Sequence, residues 1–399
     1  MGQARAGDAR VAFLKSNNLW RTWKPDEGEV CTSSDVCLRL DRAPPRLLHP
    51  PPGPPAEALS AAVPPAPPPR RPARKDPAMA MLDSAIAVTQ AVGTFRAWLR
   101  SPPPPPRPTA PPPAAPAPKP VPPFDIQDVP KAMRKLGMPM AAKLQERWFA
   151  GYENYSRSAK DLQAEIDQHG NRYAKAMVDE TTITMDWVLS FPRARRMLTE
   201  LVELSVYQPN ALTALRTKLR PYVNRGFLIA WSEAKDFLDY HRKFQFQYGA
   251  VNSSWGQRIA SFLDRSLVAD GVPDDLTGAL GSFNLYAAVK FASFQLYPTS
   301  AVIHEVFVYV RDPYEFSDEQ YLGHWNSEHV AVVPAHQVAG GWLKYPVVQG
   351  NRHAKDAVLY PVTNADYRAW RQKHGRGGDF MIYTKPLSVR LPRPLRISL

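Results

Sequence analysis

Cysteine is nearly absent from this chain: Cys31 and Cys37 are its only two, and both lie close to the start. No later segment can be crosslinked by a disulfide, and the spacing of the pair matches no zinc-binding pattern. Apolar runs of membrane-spanning length are also missing from the sequence. The first twenty residues lack the apolar core and cleavage site of a signal peptide, so any export is expected to bypass the general signal.

Proline is present in excess, and it is unevenly placed. Of the 43 prolines, 29 precede Phe124, and such a density removes too many backbone donors for a packed core. We therefore predict a disordered proline-rich tail over residues 1–80 and a stiff polyproline linker over 101–123. A start codon assigned too early, with Met79 or Met81 as the true start, is an alternative interpretation of the tail.

A short amphipathic helix is predicted between these two segments, over residues 81–100. Its apolar residues fall near one helical face, and they are Leu82, Ile86, Val92, Phe95 and Leu99. Such a helix suits docking onto a partner or onto the rest of the chain, but a marginal helix that frays in isolation fits equally well.

The net charge is +13, and the basic excess is spread along the chain. A positive balance favours anionic partners, including nucleic acid, phosphate and acidic membrane surfaces. A soluble domain that is merely basic explains the same charge. Nucleic-acid binding is the least favoured of these functions, because the sequence shows no groove-reading element and no ribonucleoprotein-type aromatic motif.

From Phe124 onward the sequence is typical of a globular domain. Residues 124–275 are rich in helical patterns and 276–399 in strand patterns, which predicts the α+β class. We expect a helical first half packed on an antiparallel β-rich second half, preceded by the disordered arm. Within the first half, the β-branched run from Thr181 to Leu189 favours a strand.

A β-hairpin is the clearest local prediction. Apolar and polar residues alternate from Phe283 to Phe291 and again from Val302 to Arg311. A period of two over this length predicts two strands, and the turn falls at residues 298–300.

Ionisable and aromatic residues follow the second strand of this hairpin at once. Asp312, Tyr314, Glu315 and His324 are the candidate catalytic residues, and Asp312 and Glu315 are the candidate metal ligands. Crowded carboxylates repel one another unless a cation lies between them, and hard oxygen ligands suit magnesium. A carboxylate beside a histidine is also an acid/base pair. A solvated acidic turn after an edge strand is the alternative.

Two further sequence patterns are candidate sites. Histidine is concentrated in the last quarter of the chain without any known zinc spacing, so isolated structural histidines are favoured over a metal centre: His304, His324, His329, His336, His353 and His374. The glycine-rich segments 349–353 and 373–378 could cradle a phosphate through backbone amides. Neither matches a known phosphate-binding motif, and plain turns are favoured.

Three segments, LGSFNLYAAVKF, HEVFVYVRDPYEFSDEQYLGHWN and RAWRQKHGRGGDFMIYT, resemble the proteobacterial domain-of-unknown-function family 6402. The resemblance covers roughly residues 125–395 and excludes the proline-rich arm. It implies an origin near type VI secretion and polymorphic-toxin genes, with a role in delivery or antibacterial attack. The family supplies no catalytic residues to carry over.

The acidic run is also similar, in part, to the active site of colicin M-like bacteriocins, which use magnesium to cleave a lipid-linked cell-wall precursor. Asp312, Tyr314 and Glu315 match their Asp-x-Tyr-Asp run, and His324 is the candidate histidine. The sequence departs from that pattern in three ways. Glutamate replaces the second aspartate, the gap to the histidine is longer, and Trp325 stands where arginine belongs.

Two functions of different classes are therefore expected. The first is an antibacterial effector of a type VI secretion system, a metal-dependent hydrolase with a phosphate-bearing envelope substrate. The alternative is a non-enzymatic adaptor or accessory module that binds the secretion apparatus or an immunity protein. Both interpretations place the protein in the bacterial cytoplasm, with secretion independent of a signal peptide.

Overall fold

The computed structural model describes residues 14–16, 38–50, 124–251, 274–296, 299–327, 330–331, 347–349 and 358–399. The predicted helix at 81–100 and the predicted linker at 101–123 lie outside these residues. Among the residues described, no helix is both long and apolar enough to cross a bilayer.

The described helices are mostly short, and most of them lie in the first half of the domain. Their bounds are α1 (Val129–Lys135), α2 (Pro139–Ala150), α3 (Ala159–Ala164), α4 (Met185–Leu189), α5 (Pro192–Glu203), α6 (Pro209–Leu219), α7 (Phe237–Phe244), α8 (Asp275–Leu280) and α9 (Asn364–His374). Single 3₁₀ turns cover Ile126–Asp128, Lys175–Met177, Ser205–Tyr207, Arg220–Tyr222 and Ala230–Glu233.

The strands form two sheets. Their bounds are β1 (Leu14–Ser16), β2 (Val178–Asp179), β3 (Phe227–Ile229), β4 (Gln245–Val251), β5 (Phe283–Val289), β6 (Phe291–Leu296), β7 (Thr299–Tyr314), β8 (Tyr321–Trp325), β9 (Val330–Ala331), β10 (Val347–Gln349), β11 (Val358–Thr363), β12 (Phe380–Tyr383) and β13 (Leu387–Ser398). The smaller sheet has the order β1-β10-β11-β8-β9, and β1 pairs parallel with β10. The larger sheet follows β2-β12-β7-β5-β4, with β3, β6 and β13 attached.

The long strand β7 is the centre of the larger sheet. One of its edges pairs first with β6 and then with β5, and the other pairs first with β13 and then with β12. All four pairings are antiparallel. Strands pair with the backbone of β7 along both edges, and the side chains of Val306, Val308 and Val310 are buried in the core.

The predicted hairpin is confirmed, with one difference in its first arm. That arm is broken at Lys290 into β5 and β6, and both parts pair with β7. The second arm is longer than predicted, since β7 continues through Asp312 to Tyr314.

The predicted α+β class is also confirmed, and the two halves share one sheet. Strands β2, β3 and β4 from the first half pair with β12, β6 and β5 from the second. The predicted boundary at residue 275 is therefore crossed by three strand pairings. The pairing of β2 with β12 is parallel, so the sheet is mixed.

The prediction of a strand from Thr181 to Leu189 is wrong, because side-chain hydrogen bonds favour the start of a helix there. The Thr184 hydroxyl accepts from the backbone N–H of Trp187 at 3.2 Å and caps α4. Upstream, Asp179 accepts from the amides of Thr181 and Thr182 at 3.0 and 2.8 Å, which bends the chain out of β2. Local bonds of this kind compete with the strand preference of threonine.

An aromatic cluster joins α2, α9 and the segment after β7. Trp148 of α2 makes edge-on contacts with Phe149, Phe316 and Tyr367. Phe316 stacks on Tyr367 with ring centroids 3.9 Å apart and planes at 4°. The cluster fixes the chain immediately after Tyr314, and so holds the end of β7 against the helices.

Residues 38–50 lie on the domain, although they fall within the predicted disordered tail. The Arg39 amide donates to the Phe124 carbonyl at 2.9 Å, and the Leu48 amide donates to the Ala150 carbonyl at 2.9 Å. Leu38 and Leu40 pack against the core. The prediction of disorder over residues 1–80 is therefore wrong for residues 38–50.

Candidate functional site

The end of β7 carries the predicted site residues, and its pairing fixes their directions. Arg311 lies opposite Tyr383 of β12, Asp312 opposite Ile382, and Tyr314 opposite Phe380. Successive side chains of a strand point to opposite faces of the sheet. Arg311 and Asp312 therefore lie on different faces.

On the Arg311 face, the charged groups are paired. The Arg311 guanidinium donates from Nη2 to Glu165 Oε1 at 3.1 Å and from Nε to the Tyr383 hydroxyl at 2.9 Å. The Tyr383 hydroxyl in turn donates to Glu165, and Gln163 accepts from Arg311 Nη1 at 2.9 Å. Glu165 adopts a φ of 55°, a left-handed conformation that this network holds in place.

A second buried carboxylate lies at the start of β12. Asp379 Oδ1 accepts from Trp148 Nε1 at 2.8 Å and also from Arg371 Nη2. Burial raises the pKa of Asp379 to about 6, although Arg371 and the Trp148 hydrogen bond act in the opposite direction. Sequence reasoning missed Asp379, because its partners come from α2 and α9 and carry no local signal.

Asp312 differs from these carboxylates in having no such partner. It is half-buried, and desolvation raises the pKa of Asp312 well above its usual value; the charge of Arg311 lowers it and that of Glu315 raises it further. None of the described residues hydrogen-bonds to its carboxylate. A carboxyl group with a raised pKa that is still reachable from solvent keeps its proton to higher pH than an ordinary aspartate and is a candidate proton donor.

Tyr314 and Glu315 lie beside it, as the sequence spacing predicted. Tyr314 stacks on Phe380 with centroids 5.0 Å apart, and burial raises the pKa of its hydroxyl. Glu315 accepts from the Ser317 amide at 2.9 Å through Oε2. Asp312 and Glu315 are close enough for the charge on one to change the pKa of the other.

His324 lies in the other sheet. It belongs to β8, pairs with Pro361 of β11, and is fully buried. Its Nδ1 is hydrogen-bonded to the Tyr321 hydroxyl. No contact among the described residues joins His324 to Asp312, Tyr314 or Glu315, so its predicted catalytic role stays a prediction.

No metal centre is formed within the described ranges by three or more His, Cys, Asp or Glu side chains. Of the remaining histidines considered above, His304 is exposed and His374 is hydrogen-bonded to the Leu40 carbonyl at 2.7 Å. His329, His336 and His353 lie outside the described residues. For magnesium, two carboxylates are sufficient protein ligands when water completes the shell, so Asp312 and Glu315 stay the predicted ligands.

The glycine-rich loop after α9, residues 375–378, is a turn that packs on the end of α2. The amides of Gly377 and Gly378 donate to the carbonyls of Gly151 and Trp148 at 3.2 and 3.0 Å. Arg376 donates to the Gly151 carbonyl as well, at 3.0 Å. These donors are already used by the C-terminal end of α2, and they do not cradle a phosphate. The segment 350–353 lies outside the described residues.

An open cleft of about 290 Å³ lies between the segment after α2 and the start of β12. Its walls include Arg147, Tyr152, Asn154, Asp379 and Phe380, and His49 of the N-terminal segment also lines it. The Tyr152 hydroxyl and Asn154 Oδ1 are buried without a hydrogen-bond partner among the described residues.

The molecule is thus an α+β domain whose central strand ends in Asp312, which has no hydrogen-bond partner in the described part of the chain, close to the acidic Glu315. The chain belongs to a family of unknown function, DUF6402, and the match covers residues 124–399. The resemblance expected from the sequence is therefore confirmed, and the match begins where the proline-rich arm was predicted to end. No curated protein and no solved structure matches the chain.

Proposed function

We propose that the protein is an antibacterial effector associated with type VI secretion, and that the end of β7 is its hydrolytic centre. The observation that carries the proposal is Asp312, a half-buried carboxyl group whose pKa is raised well above its usual value. Such a group is protonated closer to neutral pH and can protonate a leaving group. The neighbouring Glu315 has the complementary role of orienting or deprotonating the attacking water.

A magnesium ion held by Asp312 and Glu315 would supply Lewis-acid stabilisation of the charge that develops on a phosphate oxygen. The crowding of these two carboxylates favours a cation between them. The phosphate-bearing envelope substrate rests on the partial similarity to colicin M-like bacteriocins, in which Asp312, Tyr314 and Glu315 match the acidic run. Asp312 thus has two alternative roles, because the protonated carboxyl group can donate a proton whereas only the ionised carboxylate can hold magnesium.

The test is expression of the full chain, directed to the periplasm of a susceptible bacterium. We expect growth arrest or lysis with the natural sequence and its loss with Asp312→Asn or Glu315→Gln. The matched control is Glu319→Gln, because Glu319 is an exposed carboxylate nearby whose partner is Arg368. A natural chain without effect in the periplasm, or an Asp312→Asn chain as toxic as the natural one, would refute the proposal.

A non-enzymatic adaptor is the second candidate, and one observation favours it. Residues 38–50 are held on the domain by hydrogen bonds at both ends, which anchors the proline-rich arm and leaves the rest of the arm for tethering. In this case, deletion of residues 81–100 should remove the secretion-apparatus partner from a pull-down, and periplasmic expression should be harmless. Loss of toxicity in Asp312→Asn would contradict the adaptor function.

A further inference from the structure

The N-terminal segment 38–50 lies outside the family match but is bound to the surface of the domain. We propose that this surface is a recognition groove for an extended arginine-containing peptide, occupied here by the chain's own residues 38–50. We call it the arm groove, and define it by Asp125, Gln127, Asp128, Ala150, Lys373, His374 and Arg376. The inference uses neither Asp312 nor Glu315, and it holds for an enzyme and for an adaptor alike.

Main-chain pairing sets the first part of the segment in place. The Arg39 amide donates to the Phe124 carbonyl at 2.9 Å, and the Ile126 amide donates to the Arg39 carbonyl at 3.0 Å. The two segments form a parallel β-bridge between Arg39 and Asp125. Leu38 and Leu40, on either side of the bridge, pack against the core. Recognition through the main chain with apolar anchors at alternate positions is the usual mode of extended-peptide binding.

Further along, the groove supplies donors and the segment supplies carbonyl oxygens. Two prolines therefore fit at positions 44 and 45, since proline lacks only the N–H. The contacts are Gln127 Nε2 to Arg42 O at 2.8 Å, His374 Nε2 with Leu40 O at 2.7 Å, and Arg376 Nη2 to Pro45 O at 3.0 Å.

The specific contact is made by Arg42. Its guanidinium donates to both oxygens of Asp128 at 2.7 Å, and its amide donates to Asp125 Oδ2 at 3.2 Å. Bidentate pairing selects arginine over lysine, because two parallel donors are needed. The same two aspartates form the capping box of the first 3₁₀ turn, so their carboxylates are held in position by the domain itself.

A reversed charge pair lies next to this contact, where Lys373 donates to Asp41. Asp41 of the segment is thus paired with Lys373 of the groove, and the next residue, Arg42, is paired with Asp128. The pattern fixes the direction and register of the bound segment, since a one-residue shift would place like charges together. The recognised chemistry is an extended Leu-Asp-Arg segment followed by prolines.

The occupant is the chain's own segment, because residues 51–123 connect it to Phe124 and hold it at high effective concentration. Arg42 and its Asp128 partner are nevertheless partly exposed, at 49% and 22% of their side-chain surface. A contact of this kind can exchange. A peptide of the same sequence should therefore enter the groove when the segment in cis is weakened.

The experiment uses the full chain and a fluorescently labelled synthetic peptide of residues 38–50. We expect the Arg42→Glu chain to bind the peptide, and the natural chain to bind it roughly ten-fold more weakly or worse, because its own segment competes. The matched control is Arg46→Glu, the same charge change in the same segment at a residue without a described contact; it should behave like the natural chain.

Specificity is tested by exchanging the charges. The labelled peptide carrying Arg42→Glu should not bind the Arg42→Glu chain. In parallel, hydrogen exchange over residues 38–50 should be fast in Arg42→Glu and slow in the natural and Arg46→Glu chains. Both variants change only the arm, so the fold of the domain is left intact. Equal binding of either peptide by all chains, no binding at all, or equal exchange in all three would overturn the proposal.

Discussion

Two neighbouring residues of β7, Arg311 and Asp312, lie on opposite faces of one sheet and have opposite electrostatic surroundings. Arg311 is buried and paired with Glu165, Tyr383 and Gln163. Asp312 is half-buried and has no hydrogen-bond partner among the described residues. Both side chains lose hydration on folding, but among the described residues only Arg311 gains hydrogen bonds that compensate for it.

The difference separates a charge that holds the fold from one that is available for chemistry. Breaking a buried pair leaves an uncompensated ion and destabilises the protein strongly. A carboxylate without a partner is costly as long as it stays charged, and proteins retain such groups mainly at functional sites. The two faces can therefore be distinguished by the sign of the stability change when each charge is removed.

The largest effect is expected from Arg311→Met, which keeps the length of the side chain and removes its charge. Glu165 would then lie buried at 3% exposure without its cation. We expect the free energy of unfolding to fall by about 3–5 kcal/mol, measured by urea denaturation at neutral pH.

The matched control for that variant is Lys290→Met. Lys290 lies between β5 and β6 of the same sheet, and its pair with Glu305 is partly open to solvent. Exposed pairs contribute little to stability, so the control should denature close to the natural protein. Similar losses in both variants would show that position in the sheet, rather than burial of the pair, decides the effect.

A smaller effect concerns the pH dependence of stability through Asp379. Its pKa is about 6 in the folded state against 3.8 for the ordinary group, so the folded state binds more protons between these values. The contribution of protonated Asp379 to the free energy of unfolding is complete below about pH 4 and is lost as the pH rises through 6. The amplitude is about 3 kcal/mol.

Asp379→Asn should abolish this fall of the unfolding free energy with rising pH. Loss of the partner of Arg371 adds an offset, so the readout is the slope of the unfolding free energy between pH 4 and 7 rather than its value. Other carboxyl groups contribute equally to both proteins. Parallel curves for the two proteins would mean that Asp379 stays ionised across this range.

The smallest effect, and the one of opposite sign, is expected from Asp312→Asn. At pH 8 the amide avoids the cost of an unpaired charge, so we expect the free energy of unfolding to rise by on the order of 1 kcal/mol. A clear loss of stability would show that Asp312 has a structural role. Combined with loss of toxicity, a gain would separate its function from its contribution to folding.

The centre of the larger sheet could be predicted from alternation, but its last strand could not. The period-two pattern predicts β5 and β7, the two arms of the hairpin. The strand β13 escapes this signal because Pro392 and Pro394 interrupt it. The register shift between Arg390 and Leu395 accommodates both prolines, and prolines are tolerated in sheets at such irregularities.

The site was predictable only where its residues are close in sequence. Asp312 and Glu315 come together because they follow one another at the end of a strand. Trp148 and Asp379 meet only through the pairing of distant segments, and no local pattern encodes that contact. His324 is a candidate in the sequence because it follows the acidic run, whereas the fold places it on β8 in the second sheet.

The arrangement of β7 has a consequence during synthesis of the chain. One edge of this strand is covered early, since β5 and β6 precede it. The other edge stays open until Phe380–Tyr383 and Leu387–Ser398 have left the ribosome. For that interval a long apolar strand presents unpaired backbone groups, the kind of surface at which nascent chains aggregate. Chaperone demand should therefore be highest after Tyr314 emerges and should end with the arrival of β13.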